Sequence, residues 1–124
     1  MPLVDYMLLI YCDEDTMATE IDARATTGID QPCENLVKGL QAKGKHIASD
    51  RLHPVATATS VRVRDGQRLV TDGPFAETRE QLAGYMLVKA ENLDEAIRIA
   101  EQHPVAGYGT IEVRPVMNYP FGME

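Results

Sequence analysis

Tyr6-Met-Leu-Leu-Ile-Tyr11 is an apolar run with no polar residue at alternate positions. A β-strand with one wet face alternates, because successive side chains point to opposite sides of the sheet. A strand that does not alternate has both faces covered. Gly84-Tyr-Met-Leu-Val-Lys-Ala90 repeats the pattern, with Lys89 its one charged residue. Whatever this chain folds into must shield a sheet from both sides.

The rest of the chain supplies helices for one side. Asp13-Glu14-Asp15-Thr16 brings acidic and capping residues to a helix start, and Met17, Ala18, Ile21 and Ala25 follow at helical spacing as far as Gly28. Asp30 and Pro32 restart the helix, with a stripe of Cys33, Leu36, Val37 and Leu40 and a stop at Gly44. This predicts a break between the two parts. A weaker strand signal covers 47–53. Val61 and Val63 alternate with Arg62 and Arg64 up to Asp65-Gly66, a hairpin signal that returns the chain through Arg68–Thr71. A two-residue loop and a bulged loop give Val61 different partners, and the sequence leaves both open. Asn92 as N-cap with Glu95 three residues on forms a capping-box pair for a helix whose stripe is Leu93, Ala96, Ile97 and Ala100. Pro104 ends that helix, and Thr110–Val116 is a last strand with Ile111 and Val113 on one face. Residues 117–124 form a C-terminal tail carrying Tyr119 and Phe121.

Without its hairpin the order is βαββαβ, an α+β, ferredoxin-like plan with helices on one face of the sheet. At 124 residues the chain is expected to be one domain. The simplest cover for the opposite face is a second copy, giving an isologous homodimer with two sheets face to face.

Composition narrows the function. A net charge of −7 argues against direct nucleic-acid binding, which depends on neutralising phosphates. No apolar run approaches a membrane span, and the N-terminus has no basic region before its apolar run, which Asp5 interrupts, so no signal peptide is expected. Cys12 and Cys33 are the only cysteines and read as reduced packing residues, so a cytoplasmic location is expected. The three histidines stand apart, without the spacing of a metal site or an axial-ligand context for haem, and no cofactor is expected. Asp-Gly-Pro also removes a backbone N–H where a phosphate cradle would need one.

The stretch richest in chemistry is Thr71-Asp-Gly-Pro-Phe-Ala-Glu-Thr78. Asp72 suits a general base or ligand anchor at the rim of a cleft between sheet and helices. It suits still better a turn in which its carboxylate accepts backbone N–H groups. Phe75 reads as a core residue, or as a ligand contact if the loop borders a pocket. Glu77 and Arg79 follow it, and Asp50-Arg51-Leu52-His53 is a charged cluster at a strand exit. His53 is the candidate catalytic partner of Asp72, and Arg51 a candidate ligand contact. Arg62, Arg64, Arg68 and Arg79 suit an anionic ligand, or salt bridges with Asp65, Glu77 and Glu80. His46 lies in a loop, and His103 in the last turn of a helix, where the dipole favours a cation.

Several of these segments, Val61-Arg-Val-Arg-Asp-Gly66, Thr71–Thr78, Glu80-Gln-Leu82, Leu93-Asp-Glu-Ala96 and Glu112-Val-Arg-Pro-Val116, resemble the DGPF-domain proteins. Those belong to the YCII-related group within the dimeric α/β-barrel superfamily. The resemblance runs from Tyr6 to Val116 and implies a ferredoxin-like subunit that pairs into a barrel. It also implies kinship with enzymes of small aromatic and lactone compounds. A second implied setting is regulatory, because the DGPF group is associated with extracytoplasmic-function sigma factors. YCII-type proteins carry a histidine on the first helix and an aspartate before a proline near the end of the second. Here residues 14–43 contain no histidine, and the second position reads His103-Pro104. That pair does not carry over residue by residue. Two expectations result: a small organic ligand in a sheet–helix cleft, with acid–base chemistry at Asp72, or a non-catalytic regulatory module.

Overall fold

The structure, a computed structural model, describes residues 2–27 and 32–118, without the side chains of 23–27 and 32. The element order is β1 (Val4–Cys12), α1 (Glu14–Thr27), α2 (Pro32–Ala42), β2 (His46–Arg51), β3 (Thr59–Arg64), β4 (Gln67–Asp72), β5 (Gln81–Ala90), α3 (Leu93–Glu101) and β6 (Thr110–Pro115). Four strands form one antiparallel sheet in the order β2-β5-β1-β6, while β3 and β4 pair as a separate hairpin. This is the ferredoxin-like α+β fold with an inserted hairpin. Gly28, Asp30, Tyr119 and Phe121 lie outside the described residues, as do the side chains of Ala25 and Pro32.

The two sides of the sheet differ. In register, Tyr6 faces Val88, Leu8 faces Met86 and Ile10 faces Gly84, and these residues point toward the helices. Leu8, Met86 and Val88 are essentially sealed and form the core with Leu36 and Leu40 of α2 and Ala96, Ile99 and Ala100 of α3. The neighbours one position on, Met7 against Leu87 and Leu9 against Tyr85, form the opposite face and are only half-buried. The Lys89–Asp5 pair, 3.0 Å apart, and the Arg114–Glu112 pair border that face.

Local signals explain the element ends. Asp13 Oδ1 accepts from the Thr16 N–H at 3.0 Å and caps α1. After α2, Gly44 adopts a φ of 69°, and the Lys45 N–H reaches the Leu40 carbonyl at 2.9 Å. Asp65 and Gly66, with φ of 52° and 76°, form a two-residue hairpin turn, which sets Val61 opposite Val70. Asn92 Oδ1 accepts from the Glu95 N–H at 2.9 Å and caps α3. Glu95 reaches back one residue beyond the usual box, to the Glu91 N–H, at 3.1 Å. Among the described residues no helix is long and apolar enough to cross a membrane.

α3 is rolled from the expected stripe. Ala96, Ile99 and Ala100 are buried, whereas Leu93 and Ile97 stand half in water. Ile99 takes the place in the core that the stripe assigned to Leu93 and Ile97, with Ala96 and Ala100 beside it.

The same Glu95 oxygen that binds the Glu91 N–H receives Lys45 Nζ at 2.8 Å, tying α3 to the start of β2. The Lys45 bond holds the Glu95 carboxyl below the usual range, outweighing the opposing effect of partial burial, and the Glu91 N–H adds to it. A carboxyl depressed in the folded state stabilises the fold above its unfolded-state pKa. That contribution is lost as pH falls through the folded-state value. In urea titrations, Glu95→Gln is expected to flatten the loss of stability on the acid side. Equal acid-side slopes for variant and wild type would remove Glu95 from the account.

Candidate functional site

A cleft of about 400 Å3 lies between the sheet and the helical layer. Its floor is built from Ile10, Ser49, Arg51, Gly84 and Met86, which the strand register turns toward the helix side. Its walls come from Met17 and Ile21 of α1, Cys33 in the first turn of α2, and His103, Pro104, Val105 and Tyr108 beyond α3. Gly84 keeps the floor low: a Cβ there would come 2.8 Å from the Asp50 carbonyl oxygen. Asp50 and Tyr85 border the cleft, but their side chains follow the pleat to the other face, where the Tyr85 hydroxyl donates to Asp50 at 2.9 Å. That bond raises the Tyr85 phenol above its ordinary value.

His103 is 7% exposed and belongs to a 3-10 turn over Pro104–Gly107 that it caps, rather than to the last turn of α3. The turn forms because Pro104 cannot continue the helix, and His103 Nδ1 accepts from the Val105 N–H at 3.1 Å. Its other ring nitrogen, Nε2, lies 3.6 Å from Cys33 Sγ. Cys12 is sealed beneath this region with its Sγ 3.4 Å from Met17 Sδ. Burial pushes the Cys12 thiol up, and Glu80 and Glu14 add to the effect.

Arg51 is the charged side chain on the cleft floor, and it comes from the Asp50–His53 cluster singled out in the sequence. Asp72, His53, Phe75, Glu77 and Arg79 are exposed and are not among the residues lining the cleft. Asp72 ends β4, and no hydrogen bond or ion pair of its carboxylate is seen among the described residues. The Asp-Gly-Pro corner is closed by its backbone instead. The Gly73 N–H donates to the Ala58 carbonyl at 2.7 Å, and the Gly73 carbonyl accepts from Ser60 Oγ at 2.7 Å. Phe75 is 79% exposed and is no core residue of the lone subunit; its loop follows a hairpin that pairs apart from the four-stranded sheet. Arg62, Arg64, Arg68 and Arg79 form no ion pair with Asp65, Glu77 or Glu80 among the described residues. Cys33 and His103, 70 positions apart, were legible in sequence only as a stripe residue and a helix-end residue.

A second groove of about 250 Å3 between α2 and α3 is lined by Lys43, Lys45, Glu95 and Arg98 among others. It is smaller than the cleft and is crossed by the Lys45–Glu95 bond.

Fold and cleft together define an α+β domain of ferredoxin-like topology with a side hairpin and space between sheet and helices on the scale of a small organic molecule. The chain belongs to the family of the YCII-related domain, whose model matches residues 4–120. It is also similar to an uncharacterized protein of Rhizobium meliloti (strain 1021), 35% identical over 122 residues that cover 94% of this chain and 95% of the relative.

Proposed function

We propose that this protein acts as a homodimer that binds a small, mainly apolar organic molecule in the sheet–helix cleft of each subunit. The observation that carries this reading is a 400 Å3 cleft with walls of Ile, Met, Val and Tyr and one arginine on its floor. Binding sites for small molecules have this make-up: an apolar enclosure with a few polar groups that fix orientation. Arg51 would take a carboxylate or carbonyl end, for which a guanidinium is suited. The homodimer draws support from the half-buried Met7, Leu9, Tyr85 and Leu87 on the face that, among the described residues, no helix covers. Acid–base chemistry at Asp72 would need a second copy to bring its exposed carboxylate to a ligand.

Native mass spectrometry tests the reading. The expected species is a dimer with a small-molecule adduct that Arg51→Ala weakens by about tenfold or more, as for loss of a charge-assisted hydrogen bond. An adduct-free protein that no apolar carboxylate or ketone stabilises thermally would overturn it.

A second reading, the regulatory module partnered by an extracytoplasmic-function sigma factor, is favoured by the hairpin. Its Val61, Val63, Leu69 and Val70 are between 45% and 62% exposed, an apolar surface of the kind that partners cover. Co-purification separates the two: a stoichiometric protein without a trapped metabolite supports the module.

A further inference from the structure

We infer that Cys33 is the nucleophile of the cleft, positioned by His103, and that the cleft takes small α,β-unsaturated carbonyl compounds. The inference deepens the ligand-binding reading above and rests on it.

The hydrogen bonding of His103 sets its protonation. Nδ1 accepts from the Val105 N–H at 3.1 Å, so it carries no proton. A neutral imidazole then bears its proton on Nε2, the nitrogen 3.6 Å from Cys33 Sγ. His103 therefore presents an N–H to the sulfur and stabilises a thiolate as a donor. With Nδ1 engaged and Nε2 already protonated, it is not available to take the thiol proton. This separates the pair from the cysteine–histidine couples of acyl transfer, where the imidazole is the base.

The surroundings of Cys33 favour the anion further. It is the second residue of α2 and lies at the positive end of the helix dipole. Arg51 lines the same cleft, and Cys33 is partly exposed to it. Cys12 is the internal contrast, fully buried and with its thiol pushed up.

Addition to an activated alkene suits a nucleophile without a general base. The thiol proton goes to solvent, and the sulfur lone pair forms a C–S bond to the β-carbon. The alkene π pair moves to the carbonyl oxygen as an enolate, and the α-carbon then takes a proton from water. Nothing leaves and no oxidant is needed. Met17, Met86 and Val105 suit the carbon skeleton, and Arg51 suits the oxygen that gains charge.

The test uses 2-cyclohexen-1-one with intact-mass analysis and peptide mapping. One adduct is expected on Cys33 and none on Cys12. The rate at pH 7 should be about fivefold or more above that of the same chain unfolded in urea, with a pH midpoint below that of a free thiol. His103→Asn keeps an oxygen that can accept from the Val105 N–H but has nothing at the Nε2 position. It should slow labelling roughly fivefold and raise the midpoint while the chain stays folded. Labelling of Cys33 no faster than in urea, or a rate and midpoint unchanged in His103→Asn, overturns the inference. Saturated cyclohexanone keeps the two readings apart. If it protects Cys33 from iodoacetamide while the enhanced rate is missing, the cleft reading survives and the nucleophile is refuted. Fast labelling without any protection supports the nucleophile and counts against the ligand cleft.

Discussion

Gly109→Ala is expected to cost about 3 kcal/mol of folding stability, the upper part of the usual range for overpacking. Gly109 follows the Pro104–Gly107 turn and leads into β6. Its N–H already donates to the Val105 carbonyl at 2.6 Å, so the backbone has little freedom to retreat. A Cβ at this position would lie 2.8 Å from Val105 Cγ1 and 2.9 Å from Cys12 Cβ, and would run into the Tyr11 carbonyl oxygen. The oxygen and Cys12 Cβ cannot rotate aside, because both are fixed to β1. Urea denaturation should show a lower midpoint at an unchanged slope, with melting roughly 10 °C lower. Gly39→Ala is the control. A Cβ at Gly39, inside α2, would meet nothing within 4 Å, so the helix should gain about 0.5–1 kcal/mol. Equal midpoints for Gly109→Ala and wild type would show that β1 and β6 are not held this closely.

The second large effect concerns assembly. The proposed homodimer predicts that Leu87→Glu sediments as a monomer at a concentration where the wild type sediments as a dimer. Leu87 sits in register with Met7 on the face that no helix covers among the described residues. In an isologous interface one substitution acts twice, placing two carboxylates in an apolar contact. The side chain is only half-buried within the subunit, so circular dichroism should barely change. If variant and wild type share one mass, that face is not where the copies meet.

The fold was legible because its strongest signals are local. The unbroken strands became the two central strands of the sheet, β1 and β5, and Asn92 with Glu95 started α3 where expected. The hairpin register was not legible, because it depends on Asp65 adopting a positive φ beside Gly66. The roll of α3 escaped for a different reason: periodicity counts alanine and leucine alike, and a short stripe does not say which of its edges meets the sheet. The candidate site was harder still. The dense Asp-Gly-Pro-Phe motif drew attention to a loop whose Asp72 and Phe75 stand in water. Only Arg51 among the proposed site residues lines the cleft. Cys33 and His103 come together through the packing of α2 against the turn beyond α3, and nothing in either local sequence marks that meeting.

Among the described residues the strands β3 and β4 pair only with each other, and bonds joining Ala58 and Ser60 to Gly73 close the base of the hairpin on itself. Such a branch can be grown or pruned by pairs of residues at its tip without turning any side chain of the trunk around, since strand direction repeats every second position. The Asp65-Gly66 tip is thus the natural port for grafting a reporter peptide or a spectroscopic label.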